Sequence, residues 1–259
     1  MPSILLIHGG STSARYWDRL LPLLPVPALA PDLPGRGERP ADLMKLTVED
    51  GVAAVVEDVS GAALADPIVL VAHSSGGLVV PGVLRALGAR VGHLVYSSAS
   101  VPPEGGCGLD CMRPRHAEGV RKALEYARSK GATVTTLDGP APDREKARTQ
   151  YGGDPLDDAL VDYAMDPVRR VPDSFNVYLQ PISWQGVDRA LPCTYIRNLR
   201  DRAVPLELQD EMIERIPLAT RVVEIDGGHV PSMAQPETIA ELLAEVCETL
   251  AAQSASPTF

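Results

Sequence analysis

Three side chains in this chain could together make an activated oxygen nucleophile: Ser74, Asp201 and His229. A serine hydroxyl attacks poorly until a base takes its proton. A histidine oriented by a carboxylate can serve as that base, and later as the acid that protonates the leaving group. Ser74 lies in Ala72-His73-Ser74-Ser75-Gly76-Gly77, between the apolar run Ile68-Val69-Leu70-Val71 and a helix-like stretch from Leu78 to Leu87. Strand, sharp turn with a central serine, then helix is the pattern of a nucleophile elbow. Strand and helix nearly touch there, so only small residues fit two positions either side. Ala72, where glycine is usual, and Gly76 fill those positions. A frame centred on Ser75 would put His73 at a small-residue position and is rejected. Asp201 follows the apolar run Tyr195-Ile196, and His229 follows Val222-Val223-Glu224-Ile225. Other acids fit less well. The strand ending at Ser97-Ser98-Ala99-Ser100 offers no carboxylate, and Asp226 is too near His229 to come from a separate strand.

A serine attacking a carbonyl puts negative charge on its oxygen, which backbone N–H groups should meet. Ser75, at a helix N-terminus, should supply one, helped by the helix dipole. Gly10, after the first apolar run Ile4–Ile7, should supply the other, since glycine can turn its N–H inward. His8 is expected to order that loop, His73 to pack, and Tyr16 and Trp17 to buttress the loop. His93 and His116 carry no motif. Gly9-Gly10 is not a phosphate loop, because no Lys-Ser or Lys-Thr pair follows.

Ser, then Asp, then His is the α/β-hydrolase chain order. With the early His8-Gly9-Gly10 and the late Asp226-Gly227-Gly228-His229-Val230-Pro231, the chain resembles an α/β-hydrolase fold enzyme. It is similar to the small cap-bearing esterases and their hydroxynitrile-lyase relatives over 1–100 and 191–252. Asp32-Leu33-Pro34-Gly35-Arg36-Gly37 resembles a structural loop of the superfamily. The resemblance implies an α/β fold: a mostly parallel sheet with helices on both faces and an inserted, mainly helical cap. The serine sets this chain apart from the haloalkane dehalogenases and epoxide hydrolases, which use an aspartate. The lyases place threonine after the first histidine and lysine after the catalytic one; here Gly9 and Val230 stand there. The expectation is a serine hydrolase cleaving a small ester or lactone through an acyl-Ser74 intermediate, with no metal or cofactor. Two alternatives stay open: a carbon–carbon hydrolase, lyase or cyclase step on a natural product, and a ligand receptor built on the fold.

These residues need a scaffold. Short apolar runs flanked by Gly or Pro predict buried parallel strands at 4–8, 26–30, 68–73, 91–97, 193–198 and 221–225. Helices are predicted over about 13–23, 47–65, 76–88, 204–216 and 235–252. The chain opens directly on the strand carrying His8, so the two leading antiparallel strands of larger relatives are expected to be missing. Residues 101–190 break the alternation at Pro102-Pro103, Gly105-Gly106, Gly139-Pro140 and Gly152-Gly153. Helical stretches lie between, at His116–Lys130, Asp143–Gln150 and Pro155–Met165. This segment is expected to be the cap, with Phe175, Tyr178, Trp184 and Met165 as candidate pocket walls. Gln253 to Phe259 reads as a frayed tail.

Composition limits the partners. The net charge of −10 argues against nucleic acid and anionic membranes and favours neutral or apolar substrates. No apolar run reaches the roughly 20 residues of a membrane helix, and no basic segment precedes the first strand. A cytoplasmic location is expected. Cys107, Cys111, Cys193 and Cys247 show no metal-ligand spacing with histidines. Free thiols are the default reading, with a Cys107–Cys111 bridge left open.

Overall fold

The structure, a computed structural model, describes residues 1–132, 144–150 and 158–255. Six strands form one sheet: β1 (Ser3–Ile7), β2 (Ala28–Leu29), β3 (Ile68–His73), β4 (Val91–Ser97), β5 (Cys193–Asn198) and β6 (Thr220–Ile225), in the order β2-β1-β3-β4-β5-β6. Every pairing is parallel. The sheet is thus wholly parallel among the described residues, where a mostly parallel one was expected. β2 is two residues long rather than five. Pro27 and Pro31 flank it, and a proline has no N–H to give a ladder.

Alternation along each strand builds two cores. Leu5, Ile7, Leu70, Ala72, Leu94 and Tyr96 face one side, against α1 (Val48–Gly61), α2 (Val80–Leu87) and α6 (Leu206–Arg215). Ile4, Leu6, Val69, Val71, Val95 and Ile196 face the other, against Tyr16, Trp17 and α8 (Pro236–Ala255). Each fully buried aliphatic side chain contributes about 1.5–3 kcal/mol, so sheet and helices form one cooperative unit. α1 begins at a capping box: Asp50 N–H bonds the Thr47 hydroxyl, and the Asp50 carboxylate accepts from Thr47 N–H.

Some elements depart from the sequence reading. The helix expected over 13–23 is two 3-10 turns, Ala14–Trp17 and Leu21–Leu23. Pro22 lacks the N–H that a continuous helix would bond there, and Pro25 holds Leu24 extended. The helix after β3 opens as a 3-10 turn, Ser74–Leu78, before α2. α8 runs to Ala255, three residues into the stretch expected to fray; 256–259 lie outside the described residues.

Between β4 and β5 the chain leaves the sheet and forms α3 (Pro114–Ser129), α4 (Arg144–Gln150) and α5 (Asp158–Met165), with 3-10 turns at Gly108–Cys111 and Phe175–Leu179. Gly139-Pro140, Gly152-Gly153, Asp143 and residues 155–157 of the expected helices lie outside the described residues. A short helix α7 (Pro231–Ala234) precedes α8. The four cysteines are free thiols, so Cys107 and Cys111 are not bridged. No helix among the described residues is long and apolar enough to cross a membrane.

Candidate active site

The loops that follow β1, β3, β5 and β6 meet at one edge of the sheet, the edge to which parallel strands deliver their C-terminal ends. Ser74, directly after β3, adopts φ +49°. A non-glycine residue held there stores strain, and the tight approach that enforces it is visible at Gly76. A Cβ on Gly76 would come within 2.6 Å of the His8 carbonyl oxygen. The elbow helix therefore rests on the end of β1, and Ser74 stands out from the turn.

Ser74 Oγ lies 3.1 Å from His229 Nε2, and His229 Nδ1 lies 2.8 Å from Asp201 Oδ2. The three expected residues form one hydrogen-bonded chain. Asp201 is fixed on its other side, where Oδ1 accepts from the N–H groups of Ala203 and Val204 at 2.8 Å each. Ser98 at the end of β4 also bonds the Asp201 carboxylate and accepts from Asn198 Nδ2. Burial alone would push the Asp201 carboxyl up. The His229 charge and the hydrogen bonds from His229, Val204 and Ser98 outweigh it and hold the group below its ordinary value. The carboxylate is therefore ionised where it faces the imidazole.

Gly10 and Ser75 face each other across this site. A Cβ on Gly10 would lie 3.0 Å from Ser75 Oγ and 2.6 Å from the Tyr178 hydroxyl. Neither the Gly10 nor the Ser75 backbone N–H bonds an acceptor among the described residues. His8 orders the loop as expected. Its Nδ1 bonds the Gly9 carbonyl at 2.8 Å and its Nε2 accepts from Leu33 N–H at 3.1 Å. Burial, reinforced by the Arg36 charge, lowers its pKa to about 3, so the ring stays neutral.

Two features escaped the sequence reading. His73 does pack, stacking on Tyr16 at 4.3 Å, but its Nε2–H also donates to the His229 carbonyl at 2.7 Å. The residue that ends β3 and precedes Ser74 thereby holds the backbone of His229. Burial and the His229 charge lower its pKa to about 3. Arg36, read as part of a structural loop, makes a buried ion pair with Asp173 at 2.9 Å and reaches the Gly9 carbonyl at 3.5 Å. The Tyr178 hydroxyl donates to the same Asp173 carboxylate at 3.4 Å. This cluster ties residues 173–178 to the loop that carries Gly10. No residue spacing announces it, since the partners come from segments joined only by the fold.

Ser74 and His229 line two cavities at once. One, about 130 Å³, is bounded by Gly10, Thr12, Tyr16, Ala164 and Arg169. The other, about 670 Å³, is bounded by Gly108, Cys111, Met112, Tyr178, Ala203 and Val204, among others. Of the four expected pocket walls, Tyr178 alone lines one of these cavities. Phe175 packs on the Tyr178 ring at 5.6 Å, and Met165 packs beside Ala147 and Val161. Trp184 is buried in the α1–α2 face of the main core. Phe175 and Met165 are half-buried at the edges of two small apolar clusters, whereas Trp184 lies in the core. Among the described residues no group of His, Cys, Asp or Glu could hold a metal ion.

The model of the alpha/beta hydrolase family matches residues 4–242. A putative chloroplastic methylesterase 11 from Arabidopsis thaliana is 24% identical over 253 residues, covering 93% of this chain and 63% of that protein. The next two methylesterases are covered over 56% of their length, so the chain spans under two thirds of these relatives. Lipase LipV from Mycobacterium tuberculosis is 28% identical over 263 residues, covering 93% of this chain and 91% of that one. An extracellular alpha/beta-hydrolase from a Paenibacillus species superposes with TM-score 0.77 at 19% identity, covering 95% of this chain and 98% of its own.

Proposed function

The chain belongs to the alpha/beta hydrolase family, and from that footing we propose that it is a serine hydrolase cleaving small carboxylic esters or lactones through an acyl-Ser74 intermediate. The observation that carries this reading is the unbroken Ser74–His229–Asp201 hydrogen-bonded chain opening on two cavities. Relatives named as methylesterases and a lipase support the ester as the bond at issue.

In the proposed path the ester carbonyl sits beside Ser74, its oxygen facing the Gly10 and Ser75 N–H groups. His229 Nε2 takes the Ser74 proton as Oγ attacks. The imidazolium is stabilised by the ionised Asp201 at Nδ1. The tetrahedral oxyanion is met by two N–H donors that need not reorganise, each worth about 3 kcal/mol in such sites. His229 then protonates the departing alcohol oxygen, leaving Ser74 acylated. Water, deprotonated by His229, cleaves the acyl-enzyme and restores the serine. Residues 101–190 act in this reading as the cap, closing over Ser74 with Tyr178 on the cavity wall. The position directly after His229, lysine in the resembling lyases, is Val230 here.

Hydrolysis of a short-to-long series of nitrophenyl esters by wild type and by Ser74→Ala tests the proposal. Expected is turnover by the wild type that is lost in the variant, with the chain-length optimum sizing the pocket. No turnover by the folded wild type would leave the ester reading without support.

A further inference from the structure

We infer that the larger cavity selects substrates whose longer arm carries a negative charge, a carboxylate or phosphate set apart from the scissile bond. This rests on the ester-hydrolysis reading above and names the substrate class for it. The chain carries ten more acidic than basic side chains, which averaged over the molecule favours neutral ligands. The catalytic cavity does not share that average. Its wall holds Arg113 and Arg202, and among the described residues no Asp or Glu lines it. Burial pushes the Cys111 thiol on the same wall up to about 12, so it adds no negative charge.

The two arginines come from unrelated segments. Arg113 directly precedes α3, and Arg202 follows Asp201 in the loop after β5. Among the described residues neither makes an ion pair, whereas Arg169 on the smaller cavity is held by Asp18 at 3.1 Å, by Asp166 at 3.4 Å and by the Tyr163 ring at 3.7 Å. The Asp110 carboxylate, beside Cys111 in sequence, accepts from Cys107 N–H at 2.8 Å. A cleft lined by one sign of charge with apolar walls focuses its field on what enters. Arginine suits this task, because its planar fork matches carboxylate and phosphate oxygens. The smaller cavity, at about 130 Å³, has room only for a compact arm. The geometry thus assigns an asymmetric ester: one short arm, and one longer arm ending in an anion.

The test compares pairs of esters of equal length, one arm ending in a carboxylate or in its neutral amide. Monomethyl adipate and suberate put the long arm on the acyl side; acetyl esters of ω-hydroxy acids put it on the alcohol side. The expected result is that wild type prefers the charged member by about tenfold in kcat/KM at low salt, and that this preference shrinks as salt screens it. In Arg113→Gln/Arg202→Gln the charged-to-neutral ratio falls to about one. An ω-phosphonate ester turned over faster than the ω-carboxylate would identify a phosphate arm, and the reverse a carboxylate arm. Equal turnover of both members by wild type, or a ratio unchanged in the double variant, overturns the inference and leaves the hydrolase reading standing. If wild type cleaves none of the esters, that reading falls, and calorimetric binding of the same pairs to Ser74→Ala decides the inference alone. Charge-selective binding weakened by the two substitutions upholds it; equal binding overturns it.

Discussion

Replacing Arg36 by Met tests whether the buried Arg36–Asp173 pair holds the Gly10 loop in place. Both side chains are nearly inaccessible, at 6% and 2% exposure, and lie 2.9 Å apart. Methionine keeps the apolar stem and removes the charge, leaving Asp173 buried without its cation. Breaking a buried pair by deleting one partner costs about 3–5 kcal/mol, which for a chain of this size lowers Tm by about 6–20 °C. The loss has a pH signature. Burial already lifts the Asp173 carboxyl above its ordinary value, with Arg36 pulling the other way. Without Arg36 the carboxyl rises further. A carboxyl raised in the folded state keeps its full contribution below the unfolded value of about 4, and loses it as pH rises through the folded value. The deficit of Arg36→Met relative to wild type should therefore be small near pH 4 and grow toward neutrality. Scanning calorimetry across that range measures it. Because Asp173 Oδ2 and the Tyr178 hydroxyl press on Gly10, kcat on a nitrophenyl ester should also fall, by about tenfold to a hundredfold, with KM changing less. A deficit independent of pH would refute the electrostatic reasoning. A lower Tm with unchanged kcat would show that the pair stabilises the fold without placing the Gly10 N–H for the proposed reaction.

Three further outcomes follow from the same geometry. Asp201→Asn should lower kcat by about 10³- to 10⁴-fold in steady-state assays with little change in KM, since the amide cannot stabilise the imidazolium at His229 Nδ1. His73→Phe keeps the stacking on Tyr16 but loses the hydrogen bond to the His229 carbonyl; kcat should fall about tenfold, at nearly wild-type Tm at neutral pH, because the base is no longer fixed from behind. His8 and His73, both with pKa lowered to about 3, refuse protons that the unfolded chain accepts. Their contribution is present above about pH 6.5 and lost as pH falls toward 3, several kcal/mol in all. Wild type should show steep acid unfolding in that window by circular dichroism, and His73→Phe a shallower slope.

The inner strands were legible because buried parallel strands write continuous apolar runs into the sequence, and Gly and Pro mark their ends; the edge strands β2 and β6 are only partly buried, contrary to the reading of 221–225 as a buried strand. The Ser74–His229–Asp201 arrangement was legible for a related reason. Each member follows such a run, so the topology that gathers strand ends gathers the side chains too. The same logic failed where local chemistry competed with pattern. The 13–23 stretch was expected to be one helix, yet it forms two 3-10 turns, with Pro22 inside the second and Pro25 ending it. Trp184 looked like a pocket wall because large aromatics are often found there, but it is buried in the same apolar core as the inner faces of α1 and α2. Sequence cannot weigh those neighbours before the fold exists.

The parts of the site that the sequence hid share one property: each depends on a pairing between distant segments. Arg36 meets Asp173 across 137 positions, and His73 meets the His229 backbone across 156. Arg113 and Arg202 share a wall although one opens a helix and the other follows a strand. A net charge of −10 describes the surface as a whole, whereas an entering substrate meets the local field of the cavity. Averages over composition therefore speak to solubility and to nonspecific partners. On the inference drawn above, the charge a ligand must carry is decided by the residues beside Ser74 that make no ion pair among the described residues, and here those are Arg113 and Arg202.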